Sequence, residues 1–181
     1  MKDEKKNLIV LFPGTGYTVD SPLLYYAEFK YYVRGYESVK INYGDCIQQD
    51  IPWDEVIENC KIHVYEQMKD VDFSKYDDIL FVSKSFGTLI AGWLADKLEI
   101  NIRHIYLTPL NETLQYLKNG NNISIVIAGT KDHYMDANIL KEHCEQEEVK
   151  LELIEDAGHS LEIMGEMAIN IDILKRVADL Y

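Results

Sequence analysis

Short apolar runs alternate along this chain with longer segments in which apolar residues recur every three or four positions. Leu8 to Phe12, Val39 to Tyr43, Ile79 to Val82, Ile102 to Leu107, Ile123 to Ala128 and Val149 to Ile154 are brief runs rich in Ile, Val and Leu. Each reads as a buried strand. The segments between them have helical spacing. Leu23 to Val33 follows Ser21-Pro22, a cap residue and a proline suited to the first helical position. From Trp53 to Met68, residues Val56, Ile57, Cys60, Val64 and Met68 fall largely on one face. Thr88 to Leu98 turns Leu89, Ile90, Trp93 and Leu94 inward. Further helical stretches are expected near Glu112 to Leu117, from Ala137 to Cys144, and from about Leu161 to Ala178. The tyrosine-rich "YYAEFKYY" reads as packing along an amphipathic helix.

Six strands alternating with helices, most of them built on runs of apolar residues, predict a sheet covered on both faces. The fold expected is therefore α/β: six strands, mostly parallel, with right-handed helical crossovers on both faces. At 181 residues the chain fits one domain, residues 1–181, able to bury roughly 70% of its unfolded surface. Hydrophobic residues at 47% and charged residues at 27% suit a soluble globular protein. The net charge of −13 argues against nucleic acid and anionic membrane as partners, since both attract basic surfaces. Cys46, Cys60 and Cys144 are widely spaced and odd in number, with no C-x-x-C and no zinc-type spacing. A reduced, cytoplasmic setting is expected. The apolar run that follows the charged start MKDEKK is too short for a signal peptide or a membrane span. Oligomeric state is not legible.

In a parallel sheet of this kind, ligands sit outside the carboxyl ends of the strands. The residues just past each predicted strand are therefore informative: Pro13-Gly14-Thr15-Gly16-Tyr17, Tyr43-Gly44-Asp45, Ser83 to Gly87, Thr108-Pro109-Leu110, Gly129-Thr130-Lys131-Asp132, and Asp156-Ala157-Gly158-His159-Ser160. A serine, an aspartate and a histidine all fall on one edge. A serine hydroxyl needs an adjacent base to act as a nucleophile. Of five histidines, His63 and His143 fall in predicted helices and His104 at a strand start. His133 directly follows an acid candidate, and His159 lies in the loop after the last strand. The base in turn needs a buried acceptor. Asp132 is the first candidate, with Asp136, Asp156 and Asp45 as alternatives.

The sequence order Ser85, Asp132, His159, with "LFPGTGY", "VSKSFGTLIAG", "AGTKDH" and "DAGHSLE" each after a strand, resembles the α/β-hydrolase superfamily. The resemblance runs from Leu8 to the final helix and implies a compact fold without a cap domain. It casts Ser85 as the nucleophile on a sharp strand-to-helix corner, where the residues two before and two after must be small. Gly87 meets that requirement. Ser83 stands in place of the usual first glycine. Lys84 occupies the variable position, where its charge either touches the pocket or, as lysines ordinarily do, keeps its head in water. The resemblance also implies an oxyanion hole from the backbone N–H of Phe86 and that of Thr15, with Gly16 the close alternative. Pro13 replaces the family's usual histidine in that loop.

The implied chemistry is acyl transfer to water, which requires no metal and no organic cofactor. Only about fifteen residues separate the fourth and fifth predicted strands, so the site is expected to be open. Tyr17, Tyr43, Trp53, Leu110, Tyr134 and Leu161 are the candidates for its walls, with core packing the alternative for each. Such walls suggest a small ester of modest polarity. An acyltransferase on the same three residues, or a non-catalytic binding protein on this fold, are the other functions the pattern allows.

Overall fold

The computed structural model describes residues 6–181. Met1–Lys5, most of the charged flank of the first apolar run, lie outside them. Strand β1 spans Lys6–Phe12 and is followed by helix α1 (Pro22–Tyr32), β2 (Tyr36–Lys40), α2 (Trp53–Met68), β3 (Tyr76–Lys84) and α3 (Phe86–Leu98). The second half contains β4 (Arg103–Leu107), β5 (Ile123–Gly129), α4 (Ala137–Gln146), β6 (Leu151–Ile154) and α5 (Met167–Leu180). The sheet order is β2-β1-β3-β4-β5-β6. Every pairing is parallel, so the expected mostly parallel sheet is wholly parallel. From β1 the backbone goes to one edge, and from β3 it builds towards the other. The carboxyl ends of β1 and β3 therefore flank the switch point where such sheets bind ligands.

Strand alternation divides the core. Leu8, Val10 and Phe12 of β1 and Phe81 of β3 pack with Val56, Cys60, Val64 and Met68 of α2 and Leu89, Ile90 and Leu94 of α3. Their neighbours Ile9, Leu11, Leu80 and Val82 point to the other face, against Leu24 and Ala27 of α1 and Ile173 and Val177 of α5. A third cluster joins Val126 and Ala128 of β5 to Leu140 and Cys144 of α4. Among the described residues no helix is long and apolar enough to cross a membrane.

Four expectations change. The second strand lies three residues earlier than predicted. Ile41 N–H still reaches Leu11 C=O at 2.9 Å, but the next residues of β1's path are Phe12 and Pro13, and a proline has no N–H to extend a ladder. The stretch near Glu112 is a 3-10 segment, Asn111–Tyr116, held by i→i+3 bonds such as Leu117 N–H to Leu114 C=O. The final helix begins at Met167, not Leu161. Leu161 and Asp156 both have left-handed backbone (φ 58° and 59°), and Asn170 clamps Ile163 by both its N–H and its C=O (2.7 and 2.9 Å). Those contacts hold 155–166 as an ordered loop. On α1, only Leu23, Leu24, Ala27 and Tyr31 are buried. Tyr25, Tyr26, Phe29 and Tyr32 of the tyrosine-rich run are exposed, because they lie on the helix face away from the sheet.

Candidate active site

Strand β3 ends at Lys84 and α3 begins at Phe86, so the whole reversal falls on Ser85. Its backbone is left-handed (φ 55°, ψ −123°), a conformation that costs a non-glycine residue of order 1–3 kcal/mol. The corner persists because both sides are tied down. Ser85 N–H donates to Leu107 C=O at 2.9 Å, and Thr88 N–H donates to Ser85 C=O at 2.8 Å. Gly87 is required by close approach: a Cβ there would stand 2.4 Å from Phe12 O and 2.5 Å from Pro13 O. Ser83 is tolerated at the other flank, fully buried, with its hydroxyl 3.4 Å from Ile105 O.

His159 Nε2 lies 2.7 Å from Ser85 Oγ, and its Nδ1 lies 2.7 Å from Asp132 Oδ2. The Asp132 side chain is buried, and its Oδ1 accepts a 2.9 Å bond from Tyr134 N–H. Burial alone would push this carboxyl up. The bonds from His159 and Tyr134, and the nearby charge of Lys84, outweigh burial and hold it below the ordinary carboxylate value. Three loops, after β3, β5 and β6, thus bring Ser85, Asp132 and His159 together. The alternative acids are otherwise engaged or elsewhere. Asp136 caps α4 through Asn138 and Ile139 N–H, Asp156 sits at a left-handed turn, and Asp45 is exposed in the loop after β2. His63 packs by Gly44, His143 bonds Leu117 O, and His104 is buried in the core.

The loop after β1 comes up beside Ser85. A Cβ on Gly14 would lie 3.2 Å from Ser85 Cβ, and Gly14 N–H closes the turn onto Tyr17 C=O. Among the described residues, none accepts a hydrogen bond from the backbone N–H of Thr15, Gly16 or Phe86. These donors stand free next to the serine.

A cavity of about 1150 Å³ opens over this corner, with Tyr17, Trp53, Leu110 and Tyr134 on its walls. Ile163 and the almost wholly exposed Met164 continue it. Tyr134 lays its ring 4.6 Å from that of His159, and Trp53 lies 5.1 Å from Phe86. Two of the expected wall residues are elsewhere. Tyr43 is buried behind the corner, with its ring edge-on to Phe86 at 5.2 Å and its hydroxyl donating to Pro13 C=O at 2.9 Å. Leu161 is buried in the core beneath the loop after β6. In each case the loop turns the side chain towards the interior instead of the opening.

Lys84 departs furthest from expectation. Its side chain is 2% exposed rather than in water. Nζ donates to Thr108 Oγ1 at 2.6 Å and to the backbone carbonyl oxygen of His159 at 2.8 Å. Thr108 is itself buried, with left-handed backbone (φ 43°). Strand alternation carried the signal: residue 84 continues the inward face of Leu80 and Val82, so its stem enters the sheet's interior side.

No family model matches this sequence, and neither does any curated protein. Solved structures do. A protein from Xanthomonas campestris assigned to the α/β hydrolase superfamily superposes with a TM-score of 0.69 at 14% identity, over 97% of this chain and 98% of that one. An esterase from Pyrococcus furiosus gives 0.65 at 15%, over 98% and 83%. Est1E from Butyrivibrio proteoclasticus, solved with ferulic acid bound, gives 0.64 at 13%, over 99% and 91%. With its six-stranded parallel sheet and flanking helices, this chain has the α/β-hydrolase fold.

Proposed function

We propose that this protein is a serine hydrolase that cleaves a small carboxylic ester or thioester through an acyl-enzyme intermediate. The observation that carries the reading is the unbroken hydrogen-bonded line Ser85–His159–Asp132, both links 2.7 Å, ending at a left-handed corner beside free backbone donors. In this reading Ser85 Oγ attacks the acyl carbon while His159 Nε2 takes its proton. Asp132 holds the imidazole in the tautomer with hydrogen on Nδ1 and stabilises the imidazolium. The N–H groups of Phe86 and of Thr15 or Gly16 receive the developing oxyanion, where a single donor is worth about 100- to 1,000-fold in rate. His159 then protonates the leaving alcohol or thiol. Afterwards it activates the water that releases the acid and restores Ser85.

The whole chain acts as one domain without a cap, in the cytoplasm, where Cys46, Cys60 and Cys144 stay as thiols. The aromatic and aliphatic walls favour a neutral acyl group of modest polarity. That an esterase and a ferulic-acid-binding protein share the fold supports the acyl-ester reading over other chemistries.

Labelling with a fluorophosphonate, followed by peptide mapping, tests it. The expected result is one adduct, on Ser85, absent from Ser85→Ala and strongly slowed in His159→Ala. A folded protein that takes no label, or takes it elsewhere, would overturn the assignment.

A further inference from the structure

A buried ammonium is costly, and a methionine would occupy nearly the same volume without that cost. What Lys84 gains for its burial is two hydrogen bonds, and one of them goes to the backbone of His159. Among the described residues, Lys84 Nζ is the one donor to His159 C=O. The loop carrying His159 is held within itself by Gly158 N–H to Glu162 C=O and Leu161 N–H to Gly158 C=O, both 3.0 Å, and to the loop after β5 by Lys131 N–H to Ala157 C=O at 2.9 Å and Asp156 N–H to Thr130 Oγ1 at 2.8 Å, but none of these bonds is made by the backbone of His159 itself. The other bond, to Thr108 Oγ1, anchors the ammonium to the end of β4. The face of Tyr17, from the loop after β1, lies 5.3 Å from Nζ. One ammonium therefore joins four segments: the corner after β3, the end of β4, and the loops after β1 and β6.

We propose that Lys84 is a positioning residue for this reaction: by gripping the backbone carbonyl of His159 from Thr108, it sets the imidazole at hydrogen-bonding distance from Ser85 Oγ. This rests on the serine hydrolase reading above. Lys84 touches neither the serine hydroxyl nor the imidazole, so its effect runs through the loop. An error of about 1 Å in the base can cost about 100-fold in rate, and without Lys84 no hydrogen bond among the described residues would hold the backbone of residue 159 itself.

The charge strengthens the grip, because hydrogen bonds from an ionised donor are about twice as strong as neutral ones. The titratable groups around Nζ are the Asp132 carboxylate from the loop after β5, His159 from the loop after β6, and Tyr17 from the loop after β1, with Glu162 in turn acting on Tyr17. Burial draws the ammonium down from 10.5 to about 8, with the Asp132 charge partly opposing. Above that pH the grip weakens to a neutral amine's.

The test compares wild type with Lys84→Met and, as a second variant that keeps the lysine but removes its anchor, Thr108→Val. Two readouts are needed. The first is the pH profile of kcat and KM for a short p-nitrophenyl ester. Lys84→Met is expected to lose about 10- to 100-fold in kcat with KM nearly unchanged, and to lack the fall in kcat expected of wild type as pH rises through about 8. Thr108→Val should show a smaller loss of the same kind. The second readout needs no turnover: the downfield proton resonance of His159 Nδ1–H facing Asp132. In Lys84→Met it should broaden or exchange faster while the fold, followed by circular dichroism, is kept. If both the resonance and the profile match wild type, Lys84 does not position His159. If the resonance is lost as expected but no variant, wild type included, turns over ester or takes label, the positioning stands and the hydrolase reading fails.

Discussion

Gly129 is the last residue of β5, and the loop that bears His159 passes directly over it. A Cβ added there would lie 2.1 Å from Ala157 O, 2.6 Å from Ala157 C and 2.7 Å from Gly158 O. These are backbone atoms with no rotamer to yield, so Gly129→Ala must push the loop after β6 and the end of β5 apart by about 1 Å to restore van der Waals contact. The displaced segment includes the residue before His159. The link between Ala157 O and Lys131 N–H, 2.9 Å, ties the loop to the one carrying Asp132 and is lost in the same movement. Overpacking of this kind costs about 1–3 kcal/mol, and a misplacement of about 1 Å at a catalytic base costs about 100-fold in rate. The expected outcome is a protein that still unfolds cooperatively in urea, with a lower midpoint, and whose fluorophosphonate labelling rate falls by about two orders of magnitude. Gly158→Ala is the matched control for stability. It adds the same atom to the loop after β6 itself, but the nearest neighbour would be Glu162 O at 3.8 Å, so its urea midpoint should stay at that of wild type. A Gly129→Ala protein equal to wild type in both midpoint and labelling rate would refute the view that this close approach holds His159 in register.

Two further outcomes are expected from the groups around the corner. For Lys84 the folded value of about 8 lies below the ordinary 10.5, so between those pH values the unfolded state binds the extra proton and stability rises with pH; the full difference is about 3 kcal/mol. Urea titrations from pH 7 to 10 should show wild type gaining on Lys84→Met across that window, and parallel curves would contradict a buried ammonium. Tyr43→Phe removes only the hydroxyl that donates to Pro13 C=O, a buried bond worth about 1 kcal/mol. The measurable result is a stability loss of that size together with slower turnover, because Pro13 leads into the loop proposed to supply an oxyanion donor; unchanged kinetics would detach Tyr43 from that loop.

Much of this molecule is legible in one dimension because its physics is local. Short runs rich in Ile, Val and Leu fit strands of a sheet covered on both faces, and their alternation with helical segments leads to a parallel sheet. The edge on which function gathers then comes from topology, and Ser85, Asp132 and His159 could be named because each sits just past a strand end. The errors lie where local pattern and tertiary contact compete. The stretch from Leu161 reads as the start of the final helix, yet Asn170 and two left-handed residues hold it as a loop. Tyr43 and Leu161 follow strands on the right edge, but the turn of each loop sends them inward. The tyrosine-rich run of α1 reads as a packing face, while the sheet accepts Tyr31 and leaves Tyr25, Tyr26 and Tyr32 exposed.

By itself, then, the sequence determined the class of fold, the edge of the sheet that matters and the chemical identity of the three facing groups, since these depend on periodicity and on the residues that succeed each strand. Tertiary structure alone decided which carboxylate meets His159, that no side chain beyond glycine fits at Gly87 and Gly129, and that Lys84 is enclosed between Thr108 and the His159 carbonyl. Those are contacts between residues as much as 75 positions apart. Strand pairing and loop closure create them, and no local rule of hydrophobic spacing encodes them.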